Sequence, residues 1–242
     1  MKRPLHPIYW LWIPIAFLAL QLVGEEVLHG KVMAQMLTEN GLHELLQFCI
    51  MVICLGLAVR LLARKPWKIS PWLGVWVGLA AVCSLYVAGE EVSWGQHFFD
   101  WSSNEFWQEV NDQNETNLHN TSSWFDQKPR SILLFGSLFG TIVIPVIYRL
   151  RPKLEPPRWA IIYPPAVLAV VACLALGINL IDKVYEHAYN NPFFHRGSEI
   201  EELYLYYFIL LYLMDLRRRV LAQLPTPAAE PDSPSQQTLA TG

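Results

Sequence analysis

The chain has 242 residues, 53% apolar and only 16% charged, with a mean hydropathy of +0.24 and a formal net charge of −3. Soluble domains carry roughly 25% charged residues, so these values exclude a disordered chain and argue against an ordinary cytosolic domain. They suit an all-α, polytopic membrane bundle, and no nucleic-acid partner is expected.

A membrane-crossing helix needs about 20 mostly apolar residues, with a range of roughly 17–25. Six stretches approach this: Ile8–Val23, Leu42–Leu62, Trp72–Val87, Ser131–Tyr148, Trp159–Ile181 and Leu203–Met214. The first follows Lys2 and Arg3 but lacks a small-residue cleavage site, so it reads as a membrane helix and not as a cleaved leader. Residues 1–219 are thus expected to form a six-helix transmembrane domain with a long outer-side loop at 88–130. The stretch 220–242, rich in Pro, Ala, Ser and Thr, reads as a disordered tail. Gly74 and Gly78 in the third span, and Gly136 and Gly140 in the fourth, have the GxxxG spacing that lets helix backbones approach closely. Cys49, Cys54, Cys83 and Cys173 lie in apolar runs without metal-site or disulfide spacing.

Thirteen of the 18 Lys and Arg fall at the N-terminus, after span two, between spans four and five, and after span six. With six spans these places share one side, which the positive-inside rule makes cytoplasmic. Both termini are then inside, and a bacterial inner membrane is the expected location. The opposite side holds seventeen of the 21 acids and six of the seven histidines.

The acids recur at matching places. Span one ends in LVGEEVLHG and span three in VAGEEVSWG; each later span meets acids at its outer end. This pattern predicts three helical hairpins, with partial internal duplication of the first two. Glu25–His29, Glu39–His43 and Glu115–His119 are spaced i, i+4, and Glu26–His29 i, i+3, which places each pair on one face if the segment is helical. Glu90 and Glu91 follow an uncharged apolar run, where charge usually faces the bundle or a wet cavity. A helix continuing past them would carry Ser93, Trp94 and His97 on the Glu90 face. Gln96 follows, and Asn117 belongs to the amide-rich cluster before span four, either a latch between loop and bundle or the lining of a site.

The GEEVSWGQ segment and the downstream ETNLHN, within Gly89–Asn120, resemble a family of bacterial multi-pass membrane proteins of no established activity. That resemblance implies a membrane helix bundle and no mechanism. A fainter similarity is to alkaline ceramidase-like membrane hydrolases, which pair an acidic motif with a histidine zinc site. This chain departs from them in its six spans and in lacking HxxxH in its last helix.

Three functions compete. One is a metal-assisted membrane enzyme acting on a lipid or lipid-linked substrate. Its catalytic candidates are Glu90, Glu91, Glu115 and His119, with Glu91 and His119 as ligands of a divalent metal. Its cavity would be lined by Glu25, Glu26, His29, Glu39, His43, Ser93, Trp94, Gln96, His97 and Asn117. The second is a non-enzymatic assembly factor that docks a membrane-protein partner on its outer loop. The third, a cation or proton transporter, fits less well, because the span middles carry no charge and transporters usually bind at the midplane.

Overall fold

A computed structural model describes residues 5–27, 41–111, 115–118 and 121–224, without the side chains of Glu26, Val27, Ser123, Phe125 and Asp126. The expectations for His29, Glu39, His119 and the tail beyond 224 lie outside these residues, as does that for the Glu26 side chain. The described residues are helical and contain no strand. Helix α1 is Ile13–Val27, led in by a π-helical turn at Ile8–Trp12; α2 is Leu42–Ala63 and α3 is Pro71–Glu90. Two short helices follow, α4 (Gln96–Phe99) and α5 (Glu105–Val110). Helix α6 joins Ser123–Leu138, a π-helical turn at Phe139–Val143 and Ile144–Leu150. Ala169–Tyr189 is α7 and Gly197–Leu221 is α8.

Among the described residues five helices are long and apolar enough to cross a membrane, which is compatible with an integral membrane protein. The sixth expected span differs. Leu203–Met214 is the middle of α8, a 25-residue helix whose ends carry Glu199, Glu201, Glu202, Arg217, Arg218 and Arg219. Among the described helices it is also the most deeply buried, with Tyr204, Leu205, Leu211, Leu213 and Leu216 at 2% exposure or less. A helix enclosed by other helices faces little lipid, so protein partners satisfy its polar groups and its hydropathy need not be high. Helices α2 and α7 flank it. Tyr204 and Tyr207 donate to the carbonyls of Pro14 and Tyr9, both at 2.7 Å, which ties α8 to the N-terminal helix.

The fifth span begins later than expected. Pro164 and Pro165 separate two short 3-10 turns, Arg158–Ile162 and Ala166–Leu168, and regular α-helix starts at Ala169 and runs through Asp182 and Glu186 to Tyr189. The GxxxG expectation is half met. A Cβ on Gly140 would lie 2.6 Å from the Pro164 ring, and one on Gly74 would lie 3.1 Å from Trp67. Gly78 and Gly136 have no such neighbour within 4 Å, so neither motif forms a continuous helix–helix seam.

Candidate functional site

Helix α3 stops at Glu90, so the expected continuous face through His97 does not exist. Ser93 (φ 46°), Trp94 (φ 54°) and Gly95 (φ 108°) all occupy the left-handed region. Only glycine adopts it freely; each of the other two costs on the order of 1–3 kcal/mol. Surrounding contacts hold the turn. The Trp94 indole N–H donates to Glu90 Oε1 at 2.7 Å, and its ring covers Gly89, where a Cβ would sit 2.8 Å from it. Thr116 Oγ1 donates to the Ser93 carbonyl at 2.9 Å.

The strap at 115–118 closes over this turn. Glu115 Oε2 accepts from Ser93 Oγ and Asn117 Nδ2, both at 2.7 Å, and Glu115 Oε1 lies 2.8 Å from His97 Nε2. Asn117 Nδ2 also reaches Ser93 Oγ at 2.9 Å, and Asn111 Nδ2 donates to Asn117 Oδ1 at 2.9 Å. Gln96 Oε1 accepts from the Thr116 N–H at 2.8 Å, and Glu90 Oε2 accepts from the Leu118 N–H at 2.7 Å. Glu115 lies in a non-helical segment, so the i, i+4 argument for His119 does not apply; its imidazole partner is His97.

A serine, a histidine and a glutamate in contact suggest nucleophilic catalysis, which requires the histidine to stand between the other two. Here Ser93 and Glu115 meet the same ring nitrogen, and the Ser93 hydroxyl donates its hydrogen bond directly to Glu115. Ser93 is fully buried. The arrangement is a polar clasp in which buried donors and acceptors satisfy one another.

Glu91 leaves this clasp and belongs to a second cluster. It hydrogen-bonds Tyr206 on α8. Glu91 lies one residue beyond α3, and burial pushes its carboxyl well above the usual carboxylate range. Glu202, Glu199 and Glu44 add to the rise, and the Tyr206 bond opposes it. Arg130 of α6 pairs with Glu202 at 3.3 Å and lies 3.8 Å from Glu201, which also accepts from Asn179 Nδ2 at 2.7 Å. Arg196 bridges Glu199 at 2.5 Å and Glu44 at 3.5 Å. Truncating one partner of such a buried pair leaves an uncompensated charge.

This second cluster closes one end of a fissure of about 580 Å³ between α3 and α6, floored by α8. Apolar and small side chains line its length, among them Leu79, Cys83, Leu133, Gly136, Leu205 and Ile209; Glu90, Glu91, Arg130, Glu202 and Tyr206 line its acidic end. Trp76 and Tyr212 lie at the other end, joined by a 2.7 Å hydrogen bond. From Trp76 to Glu91 the α3 rise is about 22 Å, more than half a hydrocarbon core of about 30 Å.

Glu25 and His43 form a third locus. Gln21 donates to Glu25 Oε1 at 2.9 Å and meets His43 Nε2 at 3.1 Å, while Glu25 Oε2 lies 2.5 Å from His195 Nδ1. The two Gly-Glu-Glu-Val segments therefore differ in use: α1 runs on to Val27, whereas α3 ends inside its copy.

The structure thus joins Glu90, Ser93, Trp94, Gln96, His97, Glu115 and Asn117 in the clasp, places Glu91 in the fissure, and sets Glu25 and His43 apart. Tyr206, Arg130, Arg196, Glu201 and Glu202 were absent from the sequence-derived site. The acids opening α8 gave a visible signal for two of them; Tyr206, inside the aromatic run YLYYF, gave none. Among the described residues, no three His, Cys, Asp or Glu side chains gather as a metal site. No family model, curated protein or solved structure matches this chain.

Proposed function

We propose that the protein is a bacterial inner-membrane protein, basic end cytoplasmic, that binds a lipid or lipid-linked amphiphile in the α3–α6 fissure and acts on its polar part by acid–base chemistry at Glu91. One observation carries this reading: an apolar fissure as long as a membrane-embedded chain ends on Glu91, Tyr206, Arg130 and Glu202. Ligand sites are mostly apolar with a few convergent polar groups, and a buried carboxyl that holds its proton more tightly than a free one suits a general acid or base. Tyr206 and Arg130 would orient the polar group, and the clasp would hold the end of α3 on which Glu91 stands. A divalent metal on Glu91 and His119 is the metal-assisted form of the same proposal.

The test is photo-crosslinking in membranes with a lipid carrying a diazirine in its chain. Label should concentrate on Leu79, Cys83 and Leu133 and fall when Gly136→Leu fills the fissure, while exposed Val75 and Val82, outside it, label weakly in both. Equal labelling at all five positions would refute a bound amphiphile. Metal analysis of wild type against Glu91→Gln tests the metal-assisted form: equal content in the two removes it.

A further inference from the structure

The left-handed turn at Ser93–Gly95 reverses the chain so that it runs back along the bundle. Three contacts fix how far. The Trp94 ring lies over Gly89 and 6.3 Å from the Tyr86 ring, about one helical turn before the end of α3. The Phe98 ring meets Phe48 of α2 at 5.6 Å. Phe48 stands six residues into α2, about 9 Å along the helix from its acidic-end start. Leu42 and Leu45, nearer that start, are already exposed apolar residues. Phe98 is therefore level with the apolar face of α2.

The reversed segment exposes Phe98 (56%), Phe99 (78%), Trp101 (40%) and Phe106 (60%). Phe99 stacks on Trp101 at 6.1 Å. In α5 the apolar residues Phe106, Trp107 and Val110 share one side, and Glu105, Gln108 and Glu109 share the other, as in helices that lie in an interface. Irregular backbone is not tolerated against bare hydrocarbon, whereas the interfacial layer accepts both polar backbone and aromatic rings.

We infer that Gln96–Val110 is a re-entrant segment lying in the lipid interface at the acidic end, with Phe98, Phe99, Trp101 and Phe106 inserted among lipids. The occupant is lipid because the exposed rings continue the apolar face of α2 at its own depth. The acids of the segment, Asp100, Glu105 and Glu109, give no attraction to anionic headgroups, so insertion rests on the aromatic rings and should not need anionic lipid.

Hydroxyl-radical footprinting of the wild-type chain tests this in nanodiscs of zwitterionic lipid holding one copy each. Phe99 and Phe106 should be modified at least fivefold less than in unfolded protein, as little as Ile132 and Leu20 on the exposed faces of spans. Modification as high as in the unfolded chain would overturn the inference, because rings this exposed are then in water. Protection that appears only when two copies share a disc would also overturn it and assign the surface to a second copy. A second measurement places a nitroxide at Phe99→Cys or at Glu109→Cys with the native cysteines replaced. Higher accessibility to oxygen than to a nickel chelate at 99, and the reverse at 109, is expected; nickel-accessible labels at both sites would overturn the inference.

Discussion

Glu115 is the centre of the clasp, and removing it should release the strap that covers the end of α3. Its two oxygens meet Ser93, Asn117 and His97 within 2.8 Å. Hydrogen bonds to a charged group are worth about 1.5–3 kcal/mol each. They share one carboxylate and are not additive, so about 3–5 kcal/mol is the expected loss for Glu115→Ala, which also leaves the buried Ser93 and Asn117 donors without their acceptor. Glu115→Gln should lose only about 1–2 kcal/mol, since its amide oxygen can still accept from Ser93 and Asn117 while its NH2 faces His97. Amide hydrogen exchange in nanodiscs reads this locally at Leu118 N–H, bound to Glu90, and Thr116 N–H, bound to Gln96. A loss of 3 kcal/mol speeds exchange by roughly a hundredfold. The Gln variant should stay within about thirtyfold of wild type. Exchange in the Ala variant within threefold of wild type would refute the clasp as the element that orders this strap.

Three further predictions follow from the packing and the charges. A Cβ on Gly197 would fall within the Asp182 carboxylate, 1.3 Å from Oδ2, so Gly197→Ala should lower the melting temperature in detergent; Asp182→Ala should add less to that loss than it costs alone, and strict additivity would refute the clash. Glu91, facing Glu202, Glu199, Glu44 and Tyr206, binds its proton more tightly folded than unfolded, so its contribution falls as pH rises from the ordinary glutamate range toward its raised folded value. Glu91→Gln should therefore match wild type near pH 4 and exceed it in thermal stability at pH 8, and a gap that is constant with pH would show the carboxyl to be unperturbed. For orientation, a cysteine at exposed Glu109 should react with an impermeant maleimide from outside the cell and one at exposed Lys153 should not, with the reverse pattern placing the acidic end in the cytoplasm.

The sequence by itself determined the helical class, the presence of five apolar spans and the segregation of acids from bases along the chain, because these depend on runs of side-chain types that each span must present to lipid or water; the start of the fifth span it placed too early. It also drew attention to Glu90, Glu91, Glu115, His97 and Asn117, since polar residues at the edge of an apolar run are costly unless paired. It did not determine their partners. The similar segments at Gly24 and Gly89 diverge because α3 ends at Glu90 and three left-handed residues, Ser93–Gly95, then turn the chain back, and a helical repeat pattern carries no trace of that reversal. Glu90 and Glu91 part by one residue, which on a helix end is about 100° of rotation; only the position of α8 decides that Glu91 meets Tyr206 while Glu90 meets Trp94. The central place of α8 was likewise set by tertiary packing. Enclosure by other helices removes the demand for apolar side chains along its length, so its hydropathy understated it.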